Sequence, residues 1–295
     1  MKLKVCLAVA LAATMTLSIA GVTLAQEKVS GSEWTQIVEQ IGDKGKLNWT
    51  EGYIEVVGIG APSQRDMGKP QARPMALRAA RIVAYRDLLE ATKGIRIDSA
   101  TTVQNFPVES DVINTKVEGI VKGAKVVKEE YMSDGTVEVT VRMPLAGEFA
   151  SAIIPRVMER KPVAPAPAPE APPSAPAAKA PSEVYTGVVV DARGIQARPA
   201  MSPRIIDENG REVYGSMNVE REYAIQQGMS GYARDLTAAQ SNPRVTSNPV
   251  SVKGLKTEGA GRSDIVIANA DAEKIRTSGD NSGFLKKCRV MIVLD

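Results

Sequence analysis

The chain has 295 residues, with 37 Lys and Arg, 34 Asp and Glu, and a formal net charge of +3. It contains no histidine, which excludes an imidazole general base, a histidine-containing triad and the commonest zinc ligand. Basic and acidic residues are interspersed and only 4% of residues are aromatic, so no platform for stacking bases is present and nucleic acid is not an expected partner.

Residues 1–25 have the features of a secretory signal peptide. Lys2 and Lys4 precede an apolar stretch at 7–20, and small residues stand before a predicted cleavage point after Ala25. The alternative is a retained membrane anchor, but the stretch is short for a membrane-spanning helix. The sequence therefore predicts a periplasmic or secreted protein whose mature chain has no integral membrane span.

An Ala/Pro-rich segment at 161–183 divides the mature chain into predicted domains at 26–160 and 184–295. Proline denies the backbone the hydrogen bonds of helices and sheets and favours an extended polyproline II conformation. Two interpretations remain open, a semi-rigid arm that holds two modules apart and a disordered tether. Each flanking segment is long enough for a core of its own.

The first domain is predicted to contain a strand, a helix, a strand, a helix and a hairpin. The predicted helix from Pro74 to Thr92 carries a stripe of alanines that indicates close packing against a sheet, with Ile82 widening its apolar face. Arg78 and Arg81 fall inside this arc, with their stems expected along the apolar surface. The other elements are a strand in "YIEVVGIGAP" at 53–62 that runs into a turn at "GIGAP", a strand at 95–106, a short helix at 108–120, a hairpin turning at Asp134-Gly135, and a final helix at 146–158.

The motifs "GIGAP", "MALRAARIVAYRDLLEATKGIRI", "VEGIVKGAKVVKEEY" and "DGTVEVTVRMPL" resemble the LPP-twenty lipoprotein family. That family is akin to the N-terminal domain of flagellar assembly protein T, and the resemblance covers residues 50–147. It implies an α+β envelope module of bacterial surface and flagellar accessory structures, without enzymatic activity. Family lipoproteins carry a lipidated cysteine at the cleavage point. This chain has Gln26 there and Cys6 far too early, so a lipid anchor is not expected.

The second domain is also predicted to be α+β. "TGVVVDARG" is typical of a strand buried on both faces, and "PRIIDENGREVYG" predicts a hairpin turning at Asn209-Gly210. An interrupted helix is expected at 219–239, and a helix capped by Asn269 or Asp271 is expected after a strand at 265–268. A terminal strand in "CRVMIVLD" would bury the Cys288 thiol.

Asp191, at the end of the "VVVD" run, is the residue most open to a chemical interpretation. Carboxylate catalysis commonly needs a second acid, a metal or a histidine, and none is indicated nearby. Three basic residues follow instead, Arg193, Arg198 and Arg204. These four residues are predicted to form a structural ion pair at a turn or, as the alternative, a partner contact. No catalytic, cofactor-binding or metal-binding residue is predicted.

These observations predict a non-catalytic periplasmic structural or adaptor protein of the bacterial cell envelope. It would act through protein–protein contacts, as an accessory of flagellar or surface assembly, with envelope proteins or further copies of itself as partners. The alternative is a soluble module that binds a small anionic ligand on the arginines of residues 184–295. No cofactor is expected under either hypothesis.

Overall fold

The computed structural model describes residues 35–105, 110–158 and 184–295. The predicted signal peptide at 1–25 and the linker at 161–183 lie outside these residues. Residues Trp34–Asp295 form one compact unit that contains two β-sheets and the helices packed on them. The chain therefore has an α+β fold, as its sequence predicts.

The first sheet has five antiparallel strands in the order β1-β2-β3-β5-β4. Its longest pairing joins β3 to β5, where β-branched residues alternate between the core and the outer face. In chain order the elements are β1 (Val38–Ile41), β2 (Gly45–Asn48), β3 (Tyr53–Gly60), α1 (Ala72–Lys93), α2 (Ser110–Lys122), β4 (Lys125–Tyr131), β5 (Val137–Pro144) and α3 (Glu148–Met158).

Helix α1 lies unusually close to strand β3. A Cβ atom on Gly58 would clash with the backbone of Ala84, and one on Gly60 would clash with the backbone of Ala76. Small residues on both surfaces let the helix backbone approach the strand, and the alanine stripe of α1 is fully buried there. The close packing predicted from the alanines is confirmed.

Two features of the first half differ from the predictions. Of the strand predicted at 95–106, the described residues 95–105 do not form a strand, because the chain turns back at Asp98, whose carboxylate accepts the backbone N–H of Ala100 at 2.9 Å. Only an isolated bridge between Arg96 and Thr102 remains. Ile82 does not widen the buried stripe of α1 and is instead 61% exposed.

The second sheet has seven strands in the order β8-β7-β11-β10-β6-β12-β9. Strand β6 lies between β10 and β12 and runs parallel to both, which explains its continuous run of buried valines. The elements are β6 (Gly187–Asp191), β7 (Arg204–Asp207), β8 (Glu212–Tyr214), α4 (Arg221–Gln227), β9 (Gly231–Ala233), α5 (Leu236–Gln240), β10 (Pro249–Glu258), β11 (Asp264–Ile267), α6 (Asn269–Ser282) and β12 (Val290–Val293).

The predicted interrupted helix at 219–239 is correct in its two ends and its break at Gly228, but wrong between them. Gly228 ends α4 with a φ of 77°, and the chain then forms the edge strand β9 before α5 begins. The predicted caps of α6 are also wrong, because its N-cap is Ala268 and the backbone N–H of Asn269 donates to Glu208 at 2.9 Å. Cys288 is buried as predicted, but it precedes β12 rather than lying in it.

The two sheets contact each other directly. The rings of Trp49 and Tyr232 meet edge to face with centroids 5.8 Å apart, and buried side chains of both halves belong to one hydrophobic cluster. The backbone N–H groups of Met201 and Ser202 donate to the carbonyls of Arg96 and Ile97 at 3.0 and 2.7 Å.

Candidate functional site

Asp191 forms its ion pair with only one of the three predicted arginines. Arg193 donates from Nε and Nη2 to the two carboxylate oxygens, each at 2.8 Å. This bidentate bond holds the pKa of Asp191 below its ordinary value. The pair lies at the end of β6 with the Arg193 side chain 41% exposed, so it has the geometry of a turn stabilised at the surface.

Arg198 binds a different carboxylate, that of Glu39 on β1. Its Nη2 lies 2.5 Å from Glu39 Oε1, and the more buried Arg96 binds the same oxygen at 2.9 Å. Trp49 Nε1 donates to the other oxygen at 3.0 Å. Burial by itself would raise the pKa of Glu39, but the bonds from the two arginines and Trp49 outweigh it and lower the pKa.

Arg204 binds Asp264 at the start of β11. Its Nε donates to Asp264 Oδ2 at 3.1 Å, and Ser99 from the first half donates to the same oxygen at 2.5 Å. The bond to Asp264 raises the pKa of Arg204. Arg198 and Arg204 therefore belong to the junction between the two sheets, and the four predicted residues do not converge on one site.

The described residues bear on two further possibilities, a metal site and a membrane-spanning helix. Within 35–105, 110–158 and 184–295, no group of three or more Cys, Asp or Glu side chains is arranged to hold a metal ion. In the same ranges, no helix combines the length and the apolar character needed to cross a bilayer.

Helix α1 and strand β4, which an ion pair joins, form a surface that carries four of the exposed large apolar side chains of the described residues. We call it the α1–β4 surface and define it by Met75, Ile82, Val127 and Tyr131, which are 51%, 61%, 46% and 50% exposed. Two bonds hold the helix beside the strand. Arg81 pairs with Glu129 at 2.5 Å, and the Tyr85 hydroxyl donates to the Ala124 carbonyl at 3.0 Å.

Arginines surround the helical part of this surface. Arg73 and Arg78 are exposed and have no ion pair within the described part of the chain. Arg81 and Arg86 are exposed as well, but each has an acidic neighbour. Arginine, methionine and aromatic side chains are the types enriched at protein interfaces, and the α1–β4 surface with its surrounding arginines contains all three.

The sequence contained a signal for this surface. Met75 and Ile82 are seven residues apart and therefore lie on one face of a helix, with Arg78 between them. That face is opposite the alanine stripe, so an apolar residue there is not needed for the core. The exposure of Val127 could not be read in this way, because it depends on a register shift in the pairing of β4 with β5 between Val126 and Lys128.

Residues 187–295, which form the second sheet and its helices, are similar to the family described as the second domain of Treponema pallidum Tp0624. Among curated proteins, none matches the chain at a level that indicates a relationship. The similarity begins at the first residue of β6, so it follows the second sheet from its first strand to the end of the chain.

Proposed function

We propose that this protein is a non-catalytic adaptor of the bacterial cell envelope that binds a partner protein through the α1–β4 surface. The observation that carries the proposal is the exposure of four large apolar side chains on two elements that an ion pair holds together. Exposed apolar groups of this kind, rimmed by charge, are typical of interaction sites.

The sequence supports the cellular location in this proposal. Residues 1–25 have the features of a secretory signal, which would bring the mature chain into the periplasm. The resemblance of residues 50–147 to the LPP-twenty lipoproteins adds support, since α1 and β4 lie within that range. An accessory role in flagellar or surface assembly is part of the same proposal.

The chemistry of the surface defines the partner. Arg73 and Arg78 provide positive charge without an intramolecular acid in the described ranges, so the partner should present carboxylates beside an apolar patch. Strand β4 adds two carboxylates that are already paired, Glu129 with Arg81 and Glu130 with Lys128. A surface with both signs suits a protein partner better than an anionic membrane, which attracts continuous basic patches.

The test is site-specific photocrosslinking in intact cells, with a photoreactive residue at position 82 or, as the matched control, at position 217. Met217 is 60% exposed, as Ile82 is, but belongs to the second half of the chain. We expect a discrete crosslinked product from position 82 that is absent from position 217. Equal products at both positions, no product at either, or crosslinking of position 82 to lipid alone would contradict the proposal.

The alternative of a small-anion module gains little support from three of the arginines within residues 184–295. Arg193, Arg198 and Arg204 each bind a carboxylate of the chain itself. An incoming anion would have to displace those partners, at a cost that the free energy of binding would have to exceed.

A further inference from the structure

Arg244, in the loop between α5 and β10, is held in place entirely by backbone carbonyls. Its Nη1 donates to the carbonyls of Gly228 and Cys288 at 3.1 and 2.9 Å, and its Nη2 donates to the carbonyl of Gln227. A guanidinium has five N–H donors, of which these bonds use three. Within the described residues, the Nε–H and one Nη2–H have no acceptor.

The positive charge of Arg244 has no counter-ion in the described part of the chain. No carboxylate there comes within 4.0 Å of its guanidinium, and the side chain is half-buried. Burial lowers the pKa of Arg244, because the surrounding protein solvates the cation less well than water does. A half-buried charge without a counter-ion is less stable than a paired one, and a bound anion would offset part of that cost.

Arg244 lines two cavities between the sheets. One has a volume of about 290 Å³ and the other of about 330 Å³, and both are also lined by Thr50, Gly231 and Tyr232. Trp49 adds an apolar wall to the first. Glu51 and Asp235 each line one of the cavities, but neither reaches the guanidinium, and Asp235 accepts the Ala238 N–H at 2.7 Å. Volumes of this size suit small ligands.

The same chain shows what the two remaining donors bind elsewhere. Arg193 and Arg204 each donate hydrogen bonds to a carboxylate from Nε and Nη2, which form one edge of the guanidinium. Gly231 leaves room beside this edge of Arg244, since a Cβ on Gly231 would lie only 3.1 Å from the Arg244 Nε. A side chain there would also press on the Met291 sulfur.

We propose that Arg244 and the adjoining cavities form a binding site for a carboxylate attached to a small apolar group. The Nε and Nη2 donors would bind the carboxylate, and the Trp49 and Tyr232 rings would contact the apolar part. Two sources share this chemistry, a free small acid and the C-terminal residue of a peptide. The site has no residue in common with the α1–β4 surface, so a test of this proposal does not depend on the adaptor function.

The direct test follows the arginine Nε–H signals by NMR in the full mature chain labelled with ¹⁵N-arginine. Titration with hexanoate should move the Arg244 signal in a saturable way, whereas hexanamide, which has the same shape without the charge, should not. Arg204 provides the internal control, because its Nε already donates to Asp264 and its signal should stay in place. No movement of the Arg244 signal with hexanoate, or equal movement with hexanamide, would overturn the proposal.

Two further experiments distinguish a free acid from a peptide end and test the paired Nε and Nη2 donors, the fork, of Arg244. Peptides ending in a free leucine carboxylate are compared with their C-terminal amides. Tighter binding of the free peptide than of hexanoate assigns a peptide end, and the reverse assigns a free acid. Arg244→Lys keeps the charge but loses the fork and should weaken hexanoate binding at least tenfold. Gly231→Ala should also weaken it, and unchanged affinity in both folded variants would contradict the site.

Discussion

Glu39 is the side chain through which the first strand holds the second half of the molecule. Its carboxylate accepts bonds from Arg96, Arg198 and Trp49, and the Arg96 side chain is only 12% exposed. Glu39→Ala would leave that cation without its acid, so we expect the free energy of unfolding to fall by about 3 kcal/mol. Glu90→Ala removes the exposed pair with Lys93 and should cost less than about 0.5 kcal/mol. Chemical denaturation measures both values. Equal losses of unfolding free energy in the two variants would show that the Glu39 contacts do not stabilise the fold more than an exposed ion pair does.

The Glu39 contribution should depend on pH with a defined sign. Its pKa in the folded protein lies below the ordinary value of 4.5, so the ionised form is favoured by folding. The stabilisation is fully present above pH 4.5 and is lost as the pH falls through the lowered folded pKa. Glu39→Gln should flatten this part of the curve of unfolding free energy against pH. A variant curve that stays parallel to the wild type would contradict this assignment.

Asp191 should behave as a surface turn residue. Its partner Arg193 is 41% exposed and lies two residues away, so the ion pair is largely screened by water. Asp191→Asn should reduce the free energy of unfolding by less than about 1 kcal/mol, and Arg193→Gln should have a similar effect. A folded, equally stable Asp191→Asn protein that no longer binds the proposed partner protein would show that this turn is a recognition site.

At the level of elements, the packing of α1 on β3 makes the sharpest prediction. Gly58→Ala places a methyl group against the helix backbone and should cost about 1–3 kcal/mol, because a rigid helix cannot yield as a side chain can. Gly119→Ala is the control, since a Cβ at that position of α2 meets nothing within 4 Å and should stabilise the helix by about 0.5–1 kcal/mol. Thermal unfolding of both variants measures the contrast, and equal changes would contradict the close approach.

Elements with strong local signals could be predicted, and those governed by distant contacts could not. The alanine stripe of α1, the hairpin at Asp134-Gly135 and the valines of β6 each carry their own pattern. The chain at 219–239 has helix-forming residues, yet part of it pairs with β12 as strand β9. Residues 95–106 alternate like a strand but find no partner strand in the described sheets.

In the candidate sites, too, contacts between neighbouring residues could be predicted and contacts between distant residues could not. Asp191 and Arg193 are two residues apart, so their pair could be predicted from the sequence. Glu39 lies 159 residues from Arg198, and Ser99 lies 165 residues from Asp264. Such partners are brought together only when the two sheets pack against each other, and this packing cannot be predicted from a local sequence pattern. The exposed face of α1 was available in the sequence, but its meaning depended on knowing which face is buried.

For the whole molecule, the contact between the sheets predicts cooperative unfolding of the mature chain. The buried Trp49 reports on the first half by fluorescence, and the thiol of Cys288 reports on the second half. Burial raises the pKa of Cys288 to about 11, so the folded protein should label slowly at pH 8. Fluorescence and thiol labelling should give one common midpoint in denaturant. Two separated midpoints would mean that the halves fold independently across the linker.

The central claim is that the α1–β4 surface binds a partner protein, and sedimentation velocity of the native protein from gently extracted envelopes tests it most directly. Three forms are compared, the wild type, Ile82→Glu and the control Met217→Glu. Both variants add one negative charge at an exposed apolar position. We expect the wild type and Met217→Glu to sediment as the same large complex and Ile82→Glu to sediment as the free chain. A wild type that sediments alone, or three identical profiles, would contradict the account.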